Sequence, residues 1–127
     1  MKHFICRDCG NLVAMVNDSG RRVGCCGSGM DELTPNFKDG AKEKHAPELK
    51  VKDGVVTVTV GSADNRHPQT PEHAIAWVCL LTDRGSQRKM LRPDGESEAV
   101  FYIGDDERVL KAFAYCNVHG LWVTECK

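Results

Sequence analysis

Four of the chain's seven cysteines fall between residues 6 and 26, as Cys6-Arg7-Asp8-Cys9-Gly10 and Gly24-Cys25-Cys26-Gly27. A segment this short buries too little apolar surface to hold itself together. Four thiolates, however, can close a tetrahedral metal site with bonds of about 2.3 Å. A C-x-x-C turn aims two sulfurs at one point, and a glycine just after it permits positive φ. The second pair is unusual, because side chains of adjacent residues tend to point apart. Gly24 and Gly27 are expected to let the backbone bend until both sulfurs reach one metal. Zinc and iron suit such a set equally, and a disulfide is disfavoured if the compartment is reducing.

Past residues 35 to 40 the pattern changes. Pro35, Asn36, Asp39 and Gly40 form a turn-rich junction. Beyond it Val55-Val56-Thr57-Val58-Thr59-Val60 alternates with a period of two, and Ile75–Leu81 reads as a buried strand. Ala99–Ile103, Val109–Tyr115 and Leu121–Glu125 are further strands, separated by turn signals such as Asp53-Gly54, Asp83-Arg84-Gly85 and Pro93-Asp94-Gly95. The expected fold is mainly β: a small metal module over residues 1–36, then an immunoglobulin-like antiparallel β-sandwich over 37–127. Strand order is not legible.

Charge excludes some functions. Residues 1–36 carry four basic and four acidic side chains and the remainder thirteen and fourteen, so neither part offers a phosphate-binding surface for nucleic acid. No apolar run approaches the roughly 20 residues of a membrane span. Cys6 comes too early for a secretion signal to precede it, so the expected location is cytoplasmic.

A second constellation lies in the strand-rich part. His45, His67, His73 and His119 are all the histidines except His3, and Cys116 precedes the last by three. Neutral imidazoles with one thiolate suit a transition metal of intermediate softness such as iron. Cys116-Asn117-Val118-His119 is a chelating pair at a strand end, and His67-Pro68-Gln69-Thr70-Pro71-Glu72-His73 is a proline-stiffened loop able to aim two imidazoles at one metal. A lone histidine would be an ordinary surface or core residue; the joint pattern argues for ligands. Cys79 shares parity with Ile75, Trp77 and Leu81 and reads as a buried free thiol, with Cys126 free near the end; a bridge between them is the alternative. His3 reads as a frayed-terminus histidine, Trp77 and Trp122 as core residues.

At these residues the chain resembles a known family. Cys6-x-x-Cys9 followed by Cys25-Cys26 is similar to the desulforedoxin-type iron module. Glu43-Lys44-His45, His67-Pro68 with His73, and Tyr115-Cys116-Asn117-Val118-His119-Gly120-x-Trp122 are similar to superoxide reductase. The two modules in this order resemble desulfoferrodoxin, the two-iron class. The resemblance implies two irons per chain: one held by Cys6, Cys9, Cys25 and Cys26, the other ringed by His45, His67, His73 and His119 with Cys116 as axial ligand. It implies one-electron reduction of superoxide to hydrogen peroxide, with a rubredoxin-like electron donor and a homodimer paired through residues 1–36. Lys44 would steer superoxide and organise the proton-donating water, and Glu43 would approach the oxidised iron after the product leaves. The rival readings are a zinc-binding module without redox chemistry and a superoxide dismutase.

Overall fold

The computed structural model describes residues 1–38, 45–61 and 65–127. The chain separates into two compact units, Met1–Thr34 and Pro35–Lys127, and every regular element among the described residues is a β-strand.

The first unit is built from very short pieces. β1 (His3–Ile5), β2 (Leu12–Ala14) and β5 (Asp31–Glu32) make an antiparallel sheet with β1 in the middle. Between β1 and β2 the chain turns tightly: the Gly10 N–H donates to the Cys6 carbonyl and the Cys6 N–H to the Asn11 carbonyl, each at 2.8 Å. β3 (Gly24–Cys25) and β4 (Ser28–Gly29) form a hairpin whose two-residue loop is Cys26-Gly27. Both loop residues have positive φ, 52° and 78°. That is the signature of the type I′ turn, whose twist matches the flanking strands. His3 is fully buried within β1, so it is a structural residue and not a frayed one.

The second unit is a sandwich of two antiparallel sheets. β6 (Pro47–Lys52), β7 (Val55–Val60) and β10 (Glu98–Tyr102) form one, in the order β10-β7-β6. β8 (Ile75–Thr82), β9 (Gly85–Met90), β11 (Val109–Cys116) and β12 (Gly120–Glu125) form the other, in the order β12-β11-β8-β9. All five strands expected from the sequence are present, with ends that move by one residue at most. The Val–Thr alternation works as a half-buried strand should: Val56, Val58 and Val60 are fully buried while Thr57 and Thr59 are half-exposed. These valines meet Phe101, Val78, Leu80, Ala112 and Ala114 in one core. Each buried valine of this kind stabilises the fold by about 1.5–3 kcal/mol.

The parity expected for β8 is corrected by a bulge. Tyr115 pairs with Trp77 but the next residue, Cys116, pairs with Ile75, so Ala76 is the extra residue. The bulge puts Ile75 in the sandwich core with Val78 and Leu80, and Trp77 and Cys79 on the other face. Cys79 is nonetheless fully buried, and both it and Cys126 are free thiols with no bridge between them.

The edge strands β6 and β9 carry no strong sequence signal, because most of their side chains face water. β9 closes the open side of β10: Gln87 Nε2 donates to the Tyr102 carbonyl at 2.8 Å, and the Lys89 ammonium donates to the Val100 carbonyl.

Candidate metal centres

The N-terminal donor set is assembled by the two tight turns. Sγ atoms of Cys6, Cys9, Cys25 and Cys26 all lie within 4.8 Å of one another. Cys9 and Cys25 are 3.6 Å apart and Cys25 and Cys26 3.9 Å. A tetrahedron with bonds of about 2.3 Å has edges of about 3.8 Å, so these spacings fit one four-coordinate ion. The adjacent pair converges because Cys26 itself takes the left-handed conformation, which swings its sulfur round to the side of Cys25. Gly27 shares that bend; Gly24 has no positive φ.

Four thiols this close compete for protons. The Cys6 thiol is lowered to about 7, first by the Cys9 backbone N–H. The Cys26 thiol is pushed up to about 12, first by Cys9 and then by Cys6 and Cys25. Cys25 is also raised, chiefly by Cys9 and Cys6. Mutual repulsion opposes four thiolates here unless a cation neutralises them.

The second donor set lies where loops leave the sandwich. His45 precedes β6, His67 and His73 belong to the β7–β8 connection, and Cys116 and His119 flank the β11–β12 turn. The imidazoles form a closed cycle. Ring centroids are 4.8 Å apart for His45–His67, 4.8 Å for His67–His73, 5.1 Å for His73–His119 and 4.7 Å for His119–His45, each pair edge to face. His45 Nε2 and His119 Nδ1 are 3.0 Å apart. Two nitrogens bound at about 2.1 Å and at right angles to each other would sit about 3.0 Å apart. Cys116 Sγ approaches the same ring, 3.5 Å from His67 Nε2 and 3.8 Å from His119 Nδ1. Donor atoms of His45, His73, Cys116 and His119 all lie within 4.8 Å of one another; His67 falls outside that group, though its Nε2 is 3.5 Å from Cys116 Sγ. Imidazoles with one thiolate suit a metal of intermediate softness such as iron.

Neighbouring groups fix how the donors point. His67 Nδ1 lies 2.7 Å from the Pro68 carbonyl. A carbonyl only accepts, so Nδ1 carries the hydrogen and Nε2 keeps its lone pair. The His119 backbone N–H donates to Cys116 Sγ at 3.3 Å. Trp122 stacks on His45 with ring planes 15° apart, and its Nε1–H donates to the His119 carbonyl at 3.2 Å. Cys116 is fully buried and His45 and His67 nearly so, while His73 is half-buried and His119 exposed. Of the five, His119 is thus the most exposed and Cys116 the most deeply buried.

Gly61 sets the approach of His67. Its φ is +89°, and a Cβ there would stand 2.5 Å from both the Asn65 carbonyl oxygen and the His67 nitrogen. Only glycine lets the chain leave β7 so tightly. An isolated glycine at a strand end was the available signal for it. Trp122 is buried, as a core residue would be, and it also supports two ligands. Glu43 and Lys44 lie outside the described residues.

The comparisons with known proteins agree with this geometry. The family model described as desulfoferrodoxin matches residues 37–125. The desulfoferrodoxin of Nitratidesulfovibrio vulgaris is 39% identical over 122 residues, covering 96% of this chain and 94% of that protein. The superoxide reductase of Thermococcus kodakarensis is 36% identical over 111 residues, covering 73% of this chain and 96% of that protein. Among solved structures, the superoxide reductase of Treponema pallidum superposes with a TM-score of 0.83 at 36% identity, covering 98% of this chain and 97% of that one. A superoxide reductase of Giardia intestinalis, described as a one-iron form, gives 0.58 at 32% identity and covers 68% of this chain and 99% of its own. A match that spans the whole sandwich, and nearly the full length of such relatives, places this chain in the desulfoferrodoxin family.

Proposed function

We propose that this chain is a superoxide reductase, adding one electron to superoxide and releasing hydrogen peroxide, with iron in both donor sets. The observation that carries the proposal is the closed cycle of His45, His67, His73 and His119 over a buried Cys116. Relatives and solved structures named as superoxide reductases match the unit that bears it.

Iron held by His45, His67, His73, His119 and Cys116 would supply the one-electron reduction, in which superoxide takes up two protons to become hydrogen peroxide, and an external donor would return the electron. The protein's own contribution is arrangement and charge. Four neutral imidazoles and one thiolate would leave a ferrous ion held there with one net positive charge, which would attract a small anion. Cys116 sits behind the ring, and the donation it accepts from the His119 N–H tempers its basicity. Trp122 and the Pro68 carbonyl hold His45 and His67 in place. Lys44, next to His45 in sequence, would steer the anion and order the proton-donating water; Glu43 would act after the product departs.

The further parts of the proposal follow from the same reading. Cys6, Cys9, Cys25 and Cys26 bind the second iron in the module of residues 1–36. A rubredoxin-like carrier donates the electron, and two chains pair through that module, which is too small to bury much apolar surface alone. Cysteine-bound metal and unpaired Cys79 and Cys126 suit a reducing cytoplasm. Metal analysis with a visible spectrum of the pure protein tests the assignment. Two irons per chain support it; zinc in both sites, or one metal per chain, overturns it.

A further inference from the structure

The segment carrying His73 is gripped by side chains that are not themselves metal donors. Gln69 closes it from within: its Oε1 accepts from the Ile75 N–H at 2.6 Å, and its Nε2 donates to the carbonyls of Ile75 at 3.3 Å and Arg92 at 3.1 Å. Thr70 and His73 tie the tip of the loop, with the Thr70 N–H donating to the His73 carbonyl at 3.0 Å and the His73 N–H to Thr70 Oγ1 at 3.1 Å.

Asn117 holds the same segment from another element. It directly follows Cys116 and stands two residues before His119. Its backbone N–H donates to the Ala74 carbonyl at 3.1 Å, its Oδ1 accepts from the Ala74 N–H at 3.0 Å, and its Nδ2 donates to the Glu72 carbonyl at 3.0 Å. The residues on both sides of His73 are thus bonded to one side chain. Reversing the amide would set N–H against N–H and oxygen against oxygen, so the network fixes its orientation.

We propose that Asn117 is a positioning residue that locks His73 to the Cys116–His119 turn, so that the imidazole ring and the sulfur behind it are aligned before iron binds. The inference rests on the reading that these five residues hold iron. Three bonds from one residue couple the two chain segments that together supply three of the five donors. A ligand held loosely by as little as about 0.5 Å loses much of its advantage. Removing a partner that orients ligands typically costs about 10–100-fold in metal affinity.

The test measures iron release to a chelator from the loaded full-length protein, with the sulfur-to-iron band of the oxidised form as the marker of the histidine-ringed site. Asn117→Ala should speed release from that site about tenfold or more and shift the band, while release from the all-cysteine site stays unchanged. Gln69→Ala removes three side-chain hydrogen bonds, against two in Asn117→Ala, but leaves the tie to Cys116 intact. It should lower the melting temperature comparably with a smaller rise in iron release. Asn117→Asp, which changes a single atom, covers the case of an unfolded alanine variant; its carboxylate faces the Glu72 carbonyl, and it should release iron faster than wild type. Wild-type release in Asn117→Asp, or equal acceleration by Gln69→Ala and Asn117→Ala, overturns the inference. A wild-type protein with no iron in the histidine-ringed site would instead sink the metal assignment itself.

Discussion

The Trp122 indole lies flat against the His45 imidazole, centroids 4.7 Å apart, while its N–H reaches the His119 carbonyl. One aromatic side chain therefore braces two members of the imidazole cycle. Trp122→Phe keeps the stacking face and removes the hydrogen bond. It should lower stability by about 1 kcal/mol, read by denaturant unfolding. Trp122→Ala should lower it by about 3–5 kcal/mol. Equal losses in the two variants would mean that the ring face contributes nothing.

Gly61→Ala should be more damaging than a surface glycine change. The new methyl would meet the Asn65 carbonyl and the His67 nitrogen, in a backbone conformation that costs a non-glycine residue about 1–2 kcal/mol. Weaker metal binding and a reduced melting temperature are expected together. Unchanged metal content and melting temperature would contradict the role assigned to Gly61.

How much of this was legible in the sequence depended on where each signal lay. The Val55–Val60 strand declared itself because one face is fully buried. β6 and β9 did not, since edge strands such as Gly85–Met90 have little to bury. The donor residues were readable because cysteine and histidine in clusters have few other uses. Asn117 and Gln69 were not, because an amide's role lies in partners such as Ala74 and Ile75 that folding brings together. Only Ile75 was misplaced relative to Cys79, for a related reason: a bulge at Ala76 leaves no mark on a period-two pattern.

Burial raises the Cys79 thiol above its ordinary value. It should remain protonated and unlabelled at about pH 8, being both raised and shielded from the reagent, whereas Cys126 is partly exposed to it. Because the folded form retains the proton, the associated stability is present below the ordinary thiol value and is lost as pH rises through the folded one. Thiol labelling of the iron-loaded protein should find Cys126 and spare Cys79. Labelling of both at the same rate would contradict the burial argument.

The two donor sets do not interleave in the chain, and each belongs to its own compact unit. Cys9→Ser should remove the iron of the all-cysteine site and leave most of the reaction with superoxide. A variant that keeps the other iron yet loses the fast reaction would show that the N-terminal iron takes part in the chemistry. Pairing through residues 1–36 predicts a dimer by sedimentation at micromolar concentration, and a monomer there would reject it.

Lys44→Ala should slow the reaction with superoxide about tenfold, since an ammonium near a partly desolvated site is worth about 1–4 kcal/mol, of which steering is the smaller share. Added salt should slow the wild type more than the variant. Glu43→Ala should spare the encounter and change the spectrum of the oxidised iron. An unchanged rate and equal salt dependence in Lys44→Ala would leave that lysine as a solvated residue only.

The most direct test of the reductase assignment is the product balance. Pre-reduced protein is mixed with superoxide without oxygen, and hydrogen peroxide and dioxygen are both measured. A superoxide reductase gives one hydrogen peroxide for each superoxide consumed and no dioxygen. Release of dioxygen with half that yield of peroxide would show a dismutase and contradict the account.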